Sequence, residues 1–376
     1  MHHKYTGYER HVSQRTIVFI ALGSAGNRRP FVAAALACRA AGFSVRCLTT
    51  PPWQQWLQQL GIPVTLLSAQ AAALLSQGAD YPDIPESAVA VGRLGRLRLW
   101  YGGFAHRTTV ATELARHFAD AAAVVASVGL PALRRVLADW DIPVIWVSRA
   151  GIPADTSLVH APVLGISAPT LYPAVMPQVP LHRVIGEWLL PESDGLPAPL
   201  ERFVRVNRPF VVMLHGAYHS AESRAVTTLA VSCAHDLGLR ALVVWPEDDD
   251  TLASDEQTFV WNHSVSQQRV LAAAAAVIHP GGAGTTHRVV RAGVPSVPVA
   301  LCASDQVWAE HSLRVQLTPA FLTAQRLSRT ALSDALAHCV TDVSYRYRAR
   351  ALATQMASDH GLEQLAAVLR PYTGTA

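Results

Sequence analysis

The stretch VIHPGGAGTTHRVVRAGVPSV, Val277–Val297, decides how this chain folds. Its apolar, β-branched opening reads as a buried strand, AVIH, that ends at His279. Gly281, Gly282 and Gly284 follow within four positions, then Thr285 and Thr286, a helical segment TTHRVVRAG and a second strand in VPSVPVALC. Strand, glycine turn, helix, strand is the repeating unit of a parallel, doubly wound sheet. Glycines permit positive φ and carry no side chain, so an anion can approach the backbone closely. The exposed N–H groups at the start of the next helix add donors and a partial positive charge, each such effect worth about 0.3–1 kcal/mol. Thr285 and Thr286 are expected to cap that helix and to donate to phosphate oxygens. The turn then reads as a diphosphate cradle, against the plainer reading of a tight turn that only packs helix on strand. Spacing alone also leaves a dinucleotide open. Gly282-Ala283-Gly284 with His287 is GxGxxG without its third glycine, and Asp305 lies about twenty residues on, where a nicotinamide enzyme carries an acidic residue. The missing glycine and the placement in the second half of the chain count against an oxidoreductase.

The same unit recurs outward from this stretch. RTIVFIAL is a buried strand, GSAGNRRP a glycine turn and FVAAALACRAAG a helix stopped by Gly42. FSVRCLTT, PPWQQWLQQLG and IPVTLLS continue as strand, helix and strand, and AAAVVAS, LPALRRVLADWD and PVIWVSRAG repeat the order. Periodicity lapses in the proline-dense segment Ala161–Pro209, which places a domain junction near Glu192–Pro199. It restarts with PFVVMLHG, SRAVTTLAVSCAHDLG, LRALVVWP and VSQQRVLAAAA, and from Asp334 to Leu369 the pattern is helical. The expected organisation is a disordered lead-in (1–15), an acceptor-binding Rossmann-like domain (16–190), a linker (191–207), a second, nucleotide-binding Rossmann-like domain (208–355), and a terminal helix (356–376) returning to the first domain.

Composition bounds the function classes. Half of the 376 residues are hydrophobic and 15% are charged, enough for two large cores and too apolar for disorder. Nothing approaches the roughly 18 consecutive apolar residues of a spanning helix, and the polar start MHHKYTGYERHVSQR has no signal core. Five scattered cysteines without a CxxC pair exclude a disulfide framework or zinc ribbon. A soluble, cytoplasmic protein is expected. The net charge of +4 comes with no long basic run, so nucleic acid is not an expected partner. The densest basic patch, RLGRLRLW at Arg93–Trp100, reads as a solvated helix face.

HPGGAGTTHRVVRAGVPSVPVALCASDQ strongly resembles the donor-binding signature of the inverting nucleotide-sugar glycosyltransferases that decorate antibiotics, sterols and other lipophilic acceptors, which usually reads HHGGAGTT, AGVP and then Asp-Gln. The likeness extends upstream through VSQQRVLAAAAAVIH, and more weakly through GSAGNRRPFVAAALACRAAG and RVIGEWLLP. The resemblance implies the GT-B fold, an α/β architecture of two Rossmann-like domains facing a central cleft, with acceptor in the first and donor in the second. It implies a UDP- or dTDP-sugar as co-substrate, a small-molecule acceptor, no metal or other cofactor, and a monomer or homodimer. By position, His279, Gly281, Gly282, Ala283, Gly284 and Thr285 would contact the diphosphate. Asp305 and Gln306 would bind the sugar hydroxyls, and Val265, Ser266 and Trp261 the nucleobase. Gly23, Ser24 and Arg28 would line the acceptor cleft.

Two departures from that pattern bear on mechanism. Inverting transfer needs a base to take the acceptor's proton. The resembling enzymes carry an aspartate in the first glycine turn, or a histidine after its first glycine; this chain has Asn27 and Ser24. A neutral amide does not accept a proton near neutral pH. Another residue then acts as base, His106 or His160 being the candidates; or the acceptor is already acidic, attracted by Arg28 and Arg29; or the protein binds a nucleotide sugar without transferring it. The second departure is MLHGAYHS, where His215, Gly216 and Ala217 replace the usual Phe-Gly-Ser, so that a hydroxyl donor is missing unless His215 or His219 compensates. His215 and His219 have metal-like spacing but no evident third ligand.

Overall fold

The computed structural model describes residues 16–22, 25–75, 103–137, 140, 142–149, 163–167, 182–191, 195–206, 209–215, 220–245, 253–262 and 267–373. Buried β-branched and alanine-rich runs make its strands, and the glycine- and proline-started segments between them make its helices. In chain order the first half contains β1 (Thr16–Ile20), α1 (Ala25–Ala40), β2 (Val45–Thr49), α2 (Pro51–Gln59), β3 (Val64–Leu66), α3 (Ala69–Leu75), α4 (Gly103–Phe118), β4 (Ala121–Ser127), α5 (Pro131–Leu137), β5 (Val144–Ser148), β6 (Val163–Gly165) and β7 (His182–Val184). The second half contains α6 (Ala198–Arg205), β8 (Phe210–Leu214), α7 (Ala221–Asp236), β9 (Arg240–Val244), β10 (Thr258–Trp261), α8 (Gln267–Ala273), β11 (Ala276–His279), α9 (Ala283–Arg291), β12 (Ser296–Ala300), α10 (Ala303–Arg314), β13 (Leu322–Thr323), α11 (Arg329–Thr341), α12 (Val343–Met356) and α13 (Gly361–Thr373).

The strands form two parallel sheets, ordered β3-β2-β1-β4-β5-β6-β7 and β10-β9-β8-β11-β12-β13. Both orders reverse beside the first strand of the sheet, between β1 and β4 and between β8 and β11. In open α/β sheets ligands bind outside the carboxyl ends of the strands at such reversals. The glycine turn after β11 and the turn after β1 both lie there. Helices cover both faces of each sheet. Ile17, Phe19, Phe31 and Val125 belong to one core cluster of the first sheet, and Val18, Leu48, Leu114 and Trp146 to the other. Among the described residues no helix is long and apolar enough to cross a membrane.

The two halves interlock. Leu365, Ala366 and Leu369 of α13 complete the first sheet's core, although α13 follows every strand of the second sheet. Where it crosses, a Cβ on Gly361 would lie 2.5 Å from the carbonyl oxygen of Gly186 and 2.6 Å from that of Glu187, so glycine alone fits. Next to this crossing the buried carboxylate of Glu187 accepts from Arg291 Nη2 at 2.7 Å and Nε at 3.3 Å. Arg291 is the last residue of α9, and its Nη1 also donates to the carbonyl of Met356 at 3.0 Å. The N–H groups of one guanidinium thus join the end of β7, the carboxyl end of α9 and the end of α12.

Breaking a buried ion pair by removing one partner leaves an uncompensated charge and costs about 3–5 kcal/mol, whereas replacing both by apolar side chains is often neutral. Glu187→Leu and Arg291→Met are each expected to lower the urea midpoint strongly, and the double variant to recover much of the loss. Strictly additive losses in the three unfolding curves would contradict this assignment.

Candidate functional site

The site is built around the amino end of α9. Gly281 has φ +94°, a conformation that disfavours any side chain, and a Cβ there would lie 3.1 Å from the backbone oxygen of Asp305. Gly282 is the N-cap, with no side chain to bond the free amides of the first turn. The Thr285 amide bonds back to the Gly282 carbonyl at 3.0 Å, while those of Ala283 and Gly284 have no intrahelical acceptor and point out of the helix end. The helix therefore begins two residues earlier than the threonines suggest, because the glycine run is itself the turn. Thr285 and Thr286 are not its cap. Thr286 donates inward to the Gly281 carbonyl at 3.3 Å, and the buried Thr285 hydroxyl accepts from Arg288 Nη2 at 3.5 Å.

His279 corrects the expectation drawn from the signature. Its side chain does not face the mouth of the turn; it is 2% exposed and folded beneath it. Nδ1 accepts from the Gly281 N–H at 3.1 Å, and Nε2 lies 3.2 Å from Ser296 Oγ. Burial, and then Arg288, lower its pKa to about 3, so it is a neutral brace for the glycine turn. Pro280, which follows it, is buried as well.

Asp305 lies in the first turn of α10 and is 3% exposed. A Cβ on Gly282 would sit 3.4 Å from its Oδ1, which places the carboxylate against the glycine turn. Gln306 follows it and is half-buried. Trp261 ends β10 and stacks on Phe259 with ring centres 6.2 Å apart. His215 is buried, with Nε2 2.8 Å from Thr227 Oγ1 and its ring edge against Trp245, so it fills the core beside α7. Val265, Ser266, Gly23, Ser24, His160 and His219 lie outside the described residues. Asn27 and His106 lie in the first turns of α1 and α4, and their side chains are likewise outside them.

One residue at this site escaped the sequence reading. Arg149, just past β5 in the first domain, sends Nη1 to the carbonyl of Gly26 in the first turn of α1, at 2.8 Å. The same nitrogen lies 3.0 Å from where a Cβ on Gly284 would be. Ser167 Oγ fixes the Arg149 backbone through a 2.7 Å bond to its carbonyl. Arg288, one turn along α9, donates from Nε to the Gly284 carbonyl at 3.1 Å. Two guanidinium groups, one from each domain, therefore flank a helix start that already carries positive charge. Their position suits an anion with several negative oxygens.

Three buried histidines surround this helix start. His287 places Nδ1 2.7 Å from the Ala283 carbonyl and meets Trp308 edge-on, and burial lowers its pKa. His311, also against Trp308, has no hydrogen-bond partner among the described residues, and burial lowers its pKa to about 4. Each takes up a proton in the unfolded chain near the ordinary value of 6.5 and in the folded chain only well below it. Their stabilising contribution is full above about pH 6.5 and is lost as pH falls toward 3–4. For His279 the linkage slope is about 1.4 kcal/mol per pH unit within that window. The urea midpoint is expected to fall between about pH 7.5 and pH 5, and His311→Leu to flatten the dependence. An equal slope in wild type and His311→Leu would refute a contribution from that ring.

The chain is similar to several known proteins. Residues 262–369 match the family described as the C-terminal domain of erythromycin biosynthesis protein CIII-like proteins. Over 242 residues the chain is 29% identical to O-mycaminosyltylonolide 6-deoxyallosyltransferase of Streptomyces fradiae, a match spanning 60% of this chain and 55% of that protein. The chain thus covers little more than half of that relative's length. Its fold superimposes on the kitacinnamycin glycosyltransferase with a TM-score of 0.72 at 14% identity, covering 95% of this chain and 99% of that one. It also superimposes on the spinosyn rhamnosyltransferase SpnG complexed with thymidine diphosphate, with a TM-score of 0.67 at 18% identity and the same coverage. Residues 262–369, which carry the glycine turn, Asp305 and Gln306, thus match the erythromycin biosynthesis protein CIII-like C-terminal domain, within a chain that has the GT-B fold.

Proposed function

We propose that the protein is an inverting glycosyltransferase that moves a hexose from a UDP- or dTDP-sugar to a small lipophilic, aromatic or carboxylate acceptor, without a metal ion. The observation that carries this reading is the convergence, at the carboxyl edges of both sheets, of the glycine turn, the amino end of α9, Arg149 and Asp305. The first-turn amides of α9, with Arg149 and Arg288, would hold the diphosphate. This positive charge would oppose the negative charge that grows on the leaving group as the glycosidic bond breaks, the service a divalent cation performs in other transferases. Asp305 and Gln306 would fix the sugar hydroxyls against the same turn, and Trp261, with Val265 and Ser266, would meet the base. The homology of the second domain to macrolide sugar transferases supports the donor assignment, and the thymidine diphosphate in SpnG supports dTDP within the UDP/dTDP pair.

The decisive assay is release of nucleoside diphosphate from UDP- and dTDP-sugars in the presence of phenolic, alcoholic and carboxylate acceptors. No release despite measurable binding of either nucleotide would sink the enzymatic reading. Asp305→Ala is expected to weaken binding of the nucleotide sugar about tenfold or more while sparing the free nucleoside diphosphate, as measured by titration calorimetry. Equal losses for the two ligands would contradict a sugar-hydroxyl role. Arg149→Ala is expected to weaken both ligands, by about 10–100-fold for a charge-assisted contact, and to reduce the salt dependence of binding. Unchanged diphosphate affinity would confine Arg149 to bonding Gly26.

A further inference from the structure

Arg28 is the fourth residue of α1, in the same first turn whose Gly26 carbonyl holds Arg149. It therefore stands at the edge of the first sheet that meets the glycine turn of the second domain. Its guanidinium carbon lies 4.8 Å from the ring centre of Trp53, in the first turn of α2. The indole fixes the plane of the cation and covers one of its faces. Nε and Nη1 are buried and have no hydrogen-bond partner among the described residues. Burial pulls the pKa of the group down to about 10, which leaves it charged at neutral pH.

Three other arginines are tied to acceptors within the chain. Arg291 is paired with Glu187, Arg46 with Asp120, and Arg240 donates to the carbonyls of Phe203 and Val206. Buried guanidinium N–H donors that go unused are unfavourable unless an acceptor completes them. The adjacent residue, Asn27, is a neutral amide and takes no proton. An acceptor recognised beside it is best matched to the site if it has no proton to give up.

We infer that Arg28, braced by Trp53, is an acceptor-recognition group for a carboxylate, and that the acceptor is a carboxylic acid bound in its ionised form. This rests on the glycosyltransferase reading above. In the resulting step a lone pair of the carboxylate oxygen forms the bond to the anomeric carbon. The bond from that carbon to the diphosphate oxygen breaks, and its electron pair leaves with the nucleoside diphosphate. No proton moves, the product is a glycosyl ester, and one negative charge passes from the Arg28 side of the cleft to the α9 side.

The test uses the full chain with dTDP- and UDP-glucose, and compares benzoate and cinnamate with benzyl and cinnamyl alcohol. Product mass and released nucleoside diphosphate are measured, with binding of dTDP and UDP determined separately by calorimetry. Both acids are expected to give glycosyl esters with kcat/KM at least about tenfold above the alcohols, and with little change between about pH 6 and pH 8, where a carboxylic acid of pKa ~4 stays ionised. Arg28→Gln should raise KM for the acids about tenfold or more, with a smaller change in kcat, unchanged nucleotide binding and an unchanged melting temperature; Arg28→Lys should keep part of the preference. Alcohols used as well as acids, or an Arg28→Gln variant that loses acids, alcohols and nucleotide in parallel, would overturn the assignment. If no acceptor turns over, saturation-transfer NMR of benzoate and cinnamate on the dTDP-loaded protein decides, and binding indifferent to Arg28→Gln overturns it. Failure to bind either nucleotide would remove the glycosyltransferase reading itself, whereas normal nucleotide binding with no carboxylate preference would remove this inference alone.

Discussion

The pairing of Glu187 with Arg291 is the constraint on which the rest of the molecule depends. It ties the carboxyl end of α9 to the first domain, while Arg149 reaches the amino end of the same helix from the same domain. A nine-residue helix is thus gripped at both ends by the half of the chain to which it does not belong. Its ridge faces are fixed as well. Val290 packs with Trp308, Ala349 and Met356, and Val289 with the core beneath β8 and β11. The start of α9 is therefore a rigid reference point between two sheets, as a preorganised anion site requires.

Neutral imidazoles set the character of that reference point. His279 braces the turn from below through Gly281 and Ser296, and His287 bonds back to Ala283. Both are uncharged because burial disfavours their cationic forms. The positive potential at the helix start consequently comes from groups that do not titrate near neutrality, namely backbone amides and guanidiniums. Acid weakens the scaffold before it alters the sign of the site.

Much of the architecture was legible in the sequence. The strands AVIH and AAAVVAS read to the residue, because each is a buried apolar run bounded by turn residues. The helix from Ala303 to Arg314 was not legible, since its apolar residues do not form one stripe: Trp308 is buried while Val307 and Leu313 are exposed. β10 and β13, with four and two residues, are edge strands too short to show a period. At the site, the role expected of Asp305 came from the resemblance, and the glycine turn was legible from its spacing. The direction of the His279 ring was not, because hydrogen bonds to Gly281 and Ser296 decide it. Arg149 was invisible, since its approach to Gly284 comes from how the domains meet and not from any local pattern.

The crossing of Gly361 over Gly186 fixes an order of assembly. Leu365 and Leu369 belong to the core of the sheet that begins at Thr16, and their helix reaches it only over a backbone contact that admits no side chain at position 361. The first domain therefore cannot close its core as it leaves the ribosome. It waits for the whole second domain to be synthesised, and the nascent chain carries an apolar groove beside α1 until α13 emerges to fill it.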